Sequence, residues 1–144
     1  NVRHRLHRDD HATLTVIRYE PSGRLRFAGL HEPLLVVRAA TGRCEAITPP
    51  GFWVGALPEI AHLTEDAELT LEEGDLLVLH TDGVTEARNA QQEQFGLERL
   101  TVLLEAQGDR PSAAIRDAIL AAVHDWCSVL DDDVTLLIAR YRAR

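Results

Sequence analysis

The chain has few cysteines, no long apolar run, no basic excess and no repeats, and each lack narrows what it can be. Only Cys44 and Cys127 occur among 144 residues, far apart and without a Cys-x-x-Cys pair. No disulfide framework follows from that spacing. Both are expected as reduced thiols, core or half-buried, in a cytoplasmic protein. No apolar stretch approaches the roughly 20 residues of a membrane-crossing helix, and no signal-peptide pattern opens the chain. Net charge is -8, from 15 basic and 23 acidic side chains. Phosphate backbones want a positive surface, so nucleic acid is not the expected main partner. An acidic surface is compatible with metal binding, although most such surfaces are simply solvated. No internal repeat, low-complexity tract or inter-domain linker is visible, so residues 1–144 read as one domain with a real core. The chain opens on Asn1 rather than methionine, and the expectation is that it begins inside a longer protein, after processing or excision.

The elements follow from hydrophobic period and turn residues. Residues 1–11 carry Val2 and Leu6 at helical spacing and read as the tail of a helix. Residues 13–20 (TLTVIRYE) are rich in β-branched side chains, and Pro21-Ser22-Gly23 turns them into an alternating return strand, 24–29. Further strands are expected over 33–38, 43–47 and 67–71, with an irregular Pro- and Gly-rich stretch between the last two. Residues 75–81 are the most apolar strand and the expected central one. Leu97, Leu100 and Leu104 recur at helical spacing. So do Ile115, Ala118, Ile119, Ala122, Val123 and Trp126, after Pro111 and with Asp109 or Ser112 as the expected cap. A last strand spans 134–141. Strands, then helices, then one strand predict an α+β fold: a mainly antiparallel β-sheet with helices packed on it.

Two places break the habit of strands carrying carboxylates outward. Asp82 ends the strand that precedes it, and Asp132 and Asp133 open the last strand. If those strands are antiparallel neighbours, three carboxylates meet at one edge of the sheet. Such charges repel unless a divalent cation neutralises them. Hard oxygen ligands suit magnesium or manganese, and Gly83 is expected to let the backbone turn sharply behind Asp82. Taken singly, an Asp-Gly is an ordinary turn and Asp131-Asp132-Asp133 an ordinary solvated loop. Their joint placement on two strongly apolar strands is what favours a site. A haloacid-dehalogenase-like phosphatase would need an aspartate nucleophile two residues before Asp82; that position is His80, which excludes this chemistry.

Several motifs, in order and spacing, carry a resemblance: "LRFAGLHEPLLVVR", "GFWVGALPE", "LEEGDLLVLHTDGVTEARNAQQEQFGLERL" and "DDDVTLLIARY". Together they resemble the metal-dependent protein phosphatase family (PPM, protein phosphatase 2C-like), in its bacterial SpoIIE-type branch, from about Leu6 to Tyr141. The resemblance implies part of an α-β-β-α sandwich and metal-dependent hydrolysis of phosphoserine or phosphothreonine. Two manganese or magnesium ions would acidify a water for in-line attack, with no protein nucleophile. It implies Asp82 and Asp132 as metal ligands, with Asp133 in a supporting position of the same metal set. The implied substrate is a phosphorylated regulatory protein of the anti-anti-sigma type, in a cytoplasmic parent chain with sensor domains upstream.

Two departures accompany it. Where the family usually reads Asn-Ala-Gly-His, this chain reads Phe27-Ala28-Gly29-Leu30, with His31 one place late. The family's metal-bridging Asp and Gly-His-Gly motif is not found in residues 1–144, so the chain is expected to be the C-terminal, N-terminally truncated part of such a domain, inactive in isolation. The alternative is a non-catalytic protein-interaction module retaining the fold. Lesser candidates are bland by comparison. His4, His7 and His11 fit one face of a helix end, His80 and His124 show no sequence partner, Trp53 and Trp126 read as packing anchors, and Glu86 is as suited to a salt bridge with Arg88 as to the metal site.

Overall fold

The computed structural model describes residues 11–57, 59–127, 130 and 132–143. The helix expected over the first eleven residues, and with it His4 and His7, lies outside them except for His11. Among the described residues, seven strands and three α-helices form two compact units.

The first unit holds β1 (Leu14–Tyr19), β2 (Arg24–Leu30) and β5 (Ala67–Thr70) in one antiparallel sheet, ordered β1-β2-β5. Gly23, at φ +87°, closes the expected hairpin between β1 and β2. Period-two alternation buries Leu25 and Phe27 and exposes Arg24 and Arg26, which both pair with Glu68 across the sheet. Gly29 is required by its neighbours. It sits at φ +112°, and a Cβ there would strike the Leu14 carbonyl oxygen. Its N–H donates to the Pro50 carbonyl at 3.0 Å, so the Pro-rich segment packs on the departing strand. The segment's described residues are irregular as expected, apart from an isolated bridge between Val54 and Ala12 and a 3-10 turn at Ala61–Leu63.

The second unit holds β3 (Leu34–Val37), β4 (Cys44–Ile47), β6 (Leu76–His80) and β7 (Leu136–Arg140) in an antiparallel sheet, ordered β4-β3-β6-β7. The apolar runs LLVV and LLVLH take the two inner positions because they have no polar face to give to water. Three helices follow β6: α1 (Asp82–Thr85), α2 (Gly96–Gln107) and α3 (Ser112–Trp126). Leu35, Val37, Leu76 and Val78 of the sheet pack with Leu100 and Leu104 of α2 and Ile115, Ile119 and Val123 of α3. The α3 triplet is spaced by four residues, which keeps it on one side of the helix. Burying each such side chain is worth about 1.5–3 kcal/mol. Pro111 occupies the N-cap position of α3 without any side-chain cap, so neither Asp109 nor Ser112 plays the expected part. Proline needs no partner for a missing N–H, which makes the entry tolerable.

Cys44 is half-buried and Cys127 buried, both free thiols. Among the described residues no helix is long and apolar enough to cross a membrane.

Candidate functional site

The site grows from the way β6 ends. The ladder between β6 and β7 runs in register from Leu76 opposite Arg140 to His80 opposite Leu136. One residue further, the Thr81 N–H donates to the Thr135 carbonyl at 3.2 Å. In a regular ladder the Thr135 N–H would answer to the Thr81 carbonyl. Here that carbonyl accepts from the Val84 N–H at 3.0 Å and begins α1. The Thr81 hydroxyl takes its place: it accepts from the Thr135 N–H at 2.9 Å and donates to the Asp133 carbonyl at 2.9 Å. Thr81 is the N-cap residue of α1, yet its hydroxyl makes no cap bond, because it is spent across the sheet.

Asp82 therefore emerges as the first residue of α1, half-buried, beside the start of β7. The next residue makes the approach possible. A Cβ built on Gly83 would lie 2.5 Å from the Asp133 carbonyl oxygen and 3.4 Å from that of Asp132. Gly83 is not among the glycines with positive φ. Its role is thus the missing side chain, and the sharp turn expected of it is replaced by the first turn of a helix. Val84, Thr85 and Ala87 are buried and anchor α1 from below, with Val84 and Ala87 in the main apolar cluster.

The structure thus brings together the two segments that carry Asp82, Asp132 and Asp133. Two of the three acidic side chains accept local backbone bonds: Asp82 Oδ1 from the Gly83 N–H at 3.0 Å, and Asp132 Oδ1 from the Asp133 N–H at 2.7 Å. Asp132 and Asp133 are exposed. Among the described residues no three His, Cys, Asp or Glu side chains gather into a group able to hold a metal. The backbone convergence is present, whereas a three-carboxylate cage is not formed by these side chains.

Behind Asp82, the segment leading to α2 is tightly tied. Arg88 and Gln94 form an isolated antiparallel bridge, and the Phe95 N–H donates to the Ala87 carbonyl at 2.8 Å. Asn89 Oδ1 accepts the N–H groups of Gln91 and Glu93, both at 2.9 Å. From α3 the Trp126 indole N–H donates to the Glu93 carbonyl at 3.0 Å, and the Arg99 guanidinium lies 4.1 Å over the Trp126 ring. Trp126 is the half-buried anchor expected of it. Trp53 is not: it remains 43% exposed and stacks on His11. His31, the displaced histidine, shares a 2.9 Å hydrogen bond with the Thr13 hydroxyl. His124 is exposed and His80 buried.

Asp75, the first residue of the expected strand 75–81, immediately precedes β6 at the opposite end and is buried. Its Oδ1 accepts from the Ala39 N–H at 2.9 Å. Its Oδ2 accepts from Arg38 at 2.9 Å and the Glu72 N–H at 3.0 Å. Burial alone pushes this carboxyl up, but the backbone donors and the Arg38 guanidinium together overturn that and hold it below the ordinary range. A cleft of about 440 Å³ near this end is lined by Arg38, Arg140 and Arg142. Each guanidinium is already engaged: Arg38 by Asp75 and Glu45, Arg140 by the carbonyls of Gly74, Gly108 and Arg110, Arg142 by Glu73. Asp82, Asp132 and Asp133 lie at the other end of the sheet.

The sequence profile described as "Stage II sporulation protein E (SpoIIE)" matches residues 1–142. The chain belongs to the SpoIIE family. Among curated proteins it is similar to Protein IcfG of Synechocystis sp. (strain ATCC 27184 / PCC 6803 / Kazusa), 34% identical over 114 residues. That match covers 78% of this chain and 17% of IcfG. Among solved structures it resembles the RsbU and RsbW domains of Rv1364c from Mycobacterium tuberculosis, with a TM-score of 0.73 at 24% identity, covering 91% of this chain and 36% of that one. It also resembles the manganese-presoaked phosphatase domain of the cell fate determinant SpoIIE from Bacillus subtilis, TM-score 0.66 at 17% identity, covering 92% and 57%. At those identities the likeness establishes the fold, which is α+β and that of protein phosphatase 2C-like phosphatase domains. The chain spans only part of the length of each of these three relatives.

Proposed function

We propose that this SpoIIE-family chain is the C-terminal part of a metal-dependent protein serine/threonine phosphatase domain, with Asp82 and Asp132 as metal ligands and Asp133 in support. The observation that carries the reading is the close seating of Gly83 against the Asp132–Asp133 backbone, which sets two acidic segments side by side at one sheet end. The donor chemistry fits: carboxylate oxygens suit manganese or magnesium. The glycine gap fits as well, since any side chain there would push the acidic turn away. What the described side chains do not supply is a complete ligand set. In this reading the rest comes from the preceding half of the domain, and the segment alone binds manganese weakly and turns over nothing. Bound divalent cations would supply an activated water for attack at phosphorus. This chain's own residues hold the carboxylates in place: β6 and β7 set their register, α1 carries Asp82, and Val84 and Ala87 root α1 in the core.

The substrate in this reading is a phosphoserine or phosphothreonine on a regulatory protein of the anti-anti-sigma type, acted on in the cytoplasm by a parent chain with upstream sensor domains. Membership of the SpoIIE family supports it, as does a fold shared with a chain that carries RsbU and RsbW domains together.

The test uses the complete domain and a phosphoserine peptide. Turnover should require manganese or magnesium, vanish with EDTA and return with added manganese. Asp82→Asn and Asp132→Asn should each remove most of it, and Asp133→Asn less. Full turnover after thorough chelation would sink the mechanism. Absence of turnover with all ligands present would leave a protein-interaction module of the same fold.

A further inference from the structure

We propose that Thr81 is a positioning residue whose hydroxyl fixes the spacing between Asp82 and the Asp132–Asp133 turn. The inference rests on the phosphatase reading for its functional consequence, and on hydrogen-bond geometry for its structural one. At the end of β6 the chain must do two incompatible things. It must keep its ladder bond to β7, so that Asp132 and Asp133 stay beside Asp82. It must also leave the sheet and start α1, so that Asp82 projects from a helix. One carbonyl serves both poorly, because the Thr81 carbonyl that would complete the ladder is taken by the Val84 N–H at 3.0 Å. The hydroxyl resolves the conflict. It accepts from the Thr135 N–H and donates to the Asp133 carbonyl, both at 2.9 Å, so its proton and a lone pair are both used. These two bonds bracket the backbone between Asp133 and Thr135, immediately after the acidic pair. They also hold the Asp133 carbonyl that Gly83 faces. The residues flanking Thr81 offer no substitute: His80 lies opposite Leu136 in the ladder, and Asp82 Oδ1 is turned to the Gly83 N–H.

The chemistry demands a small side chain with a hydroxyl on Cβ. Valine has the same shape and neither bond. Serine keeps both.

The experiment compares Thr81→Val, Thr81→Ser and Asp82→Asn in the complete domain, with two readouts. The first is metal-free amide exchange by NMR. In Thr81→Val the Thr135 amide should exchange about fivefold faster or more, as expected for one lost hydrogen bond. Leu137, one hydrogen-bonded pair further along the ladder, should not move. The second is manganese titration, by calorimetry and by turnover. The manganese needed for half-maximal response should rise about 10- to 100-fold, the usual cost of losing a group that orients a metal ligand. kcat at saturating manganese should change less. Thr81→Ser should restore both readouts. An unmoved Thr135 amide in Thr81→Val overturns the proposal. So does an unmoved manganese requirement when Asp82→Asn abolishes turnover. If Thr81→Val does not fold, Thr81→Ala replaces it; failure of both to fold, with serine folded, assigns the hydroxyl to folding alone and overturns the positioning role. A wild-type domain without metal-dependent turnover overturns the phosphatase reading instead, and the exchange readout still decides the clamp.

Discussion

Replacing Gly83 with alanine should damage the site through a single methyl group. The Cβ would lie 2.5 Å from the Asp133 carbonyl oxygen, whereas ordinary contact begins near 3.4 Å. The turn carrying Asp132 and Asp133 must therefore retreat by about 0.9 Å, since α1 is rooted by the fully buried Val84 and moves less easily. A retreat of that size stretches the 2.9 Å bond between the Thr81 hydroxyl and the Asp133 carbonyl past hydrogen-bonding range. Overpacking of this kind costs about 1–3 kcal/mol of stability. A misplacement near 1 Å in a catalytic arrangement costs on the order of 100-fold in rate. Backbone strain contributes nothing, because Gly83 is not in the left-handed region. Gly42→Ala is the matched control: at φ +68° with open space around its Cβ, it should lose about 1–2 kcal/mol from strain and leave turnover unchanged. The assay is phosphopeptide turnover at saturating manganese in the complete domain, with thermal unfolding alongside. Gly83→Ala turnover within twofold of wild type, at unchanged Tm, would refute the close approach on which the site depends.

Asp75 and Cys44, in the distal part of the same unit, give three further outcomes. Asp75→Asn keeps at most one carbonyl-type oxygen where two carboxylate oxygens accept three donors. It should cost about 2–4 kcal/mol, a buried charged pair being expensive to break from one side, as read by urea unfolding. Because the folded carboxyl lies below its ordinary value, its contribution is fully present above the unfolded value of about 3.9 and is lost as pH falls through the folded one. The wild-type chain should thus lose more stability than Asp75→Asn on acidification below about pH 4. Cys44 should be a sluggish thiol: burial first, then Glu105 and Glu45, push it up to about 11. Alkylation at pH 8 should run at least about 10-fold slower than for an exposed cysteine of ordinary pKa near 8.5, and a rate equal to free cysteine would contradict that burial.

Much of this molecule is legible along the chain, because it depends on local period. The apolar runs 34–37 and 76–80, with no polar face, belong in the middle of a sheet wherever they fold. Ile115, Ile119 and Val123 mark the inward side of α3 through spacing alone. The acidic residues Asp82, Asp132 and Asp133 stand out because they interrupt that pattern. Other features rest on atoms brought together from distant positions, and no local pattern carries them. That Gly83 is needed for space rather than for a turn depends on where the Asp133 carbonyl lies, 50 positions later in the chain. That the Thr81 hydroxyl stands in for its own carbonyl depends on α1 starting while the ladder with β7 is still closing. That Asp75 is a buried acceptor of three hydrogen bonds depends on Arg38 and Ala39 arriving from the end of β3. Hydrophobic burial has no direction, so composition and period suffice to choose the elements. Hydrogen bonds and close contacts act over tenths of an ångström and in fixed directions, so only the folded chain decides which side chains meet.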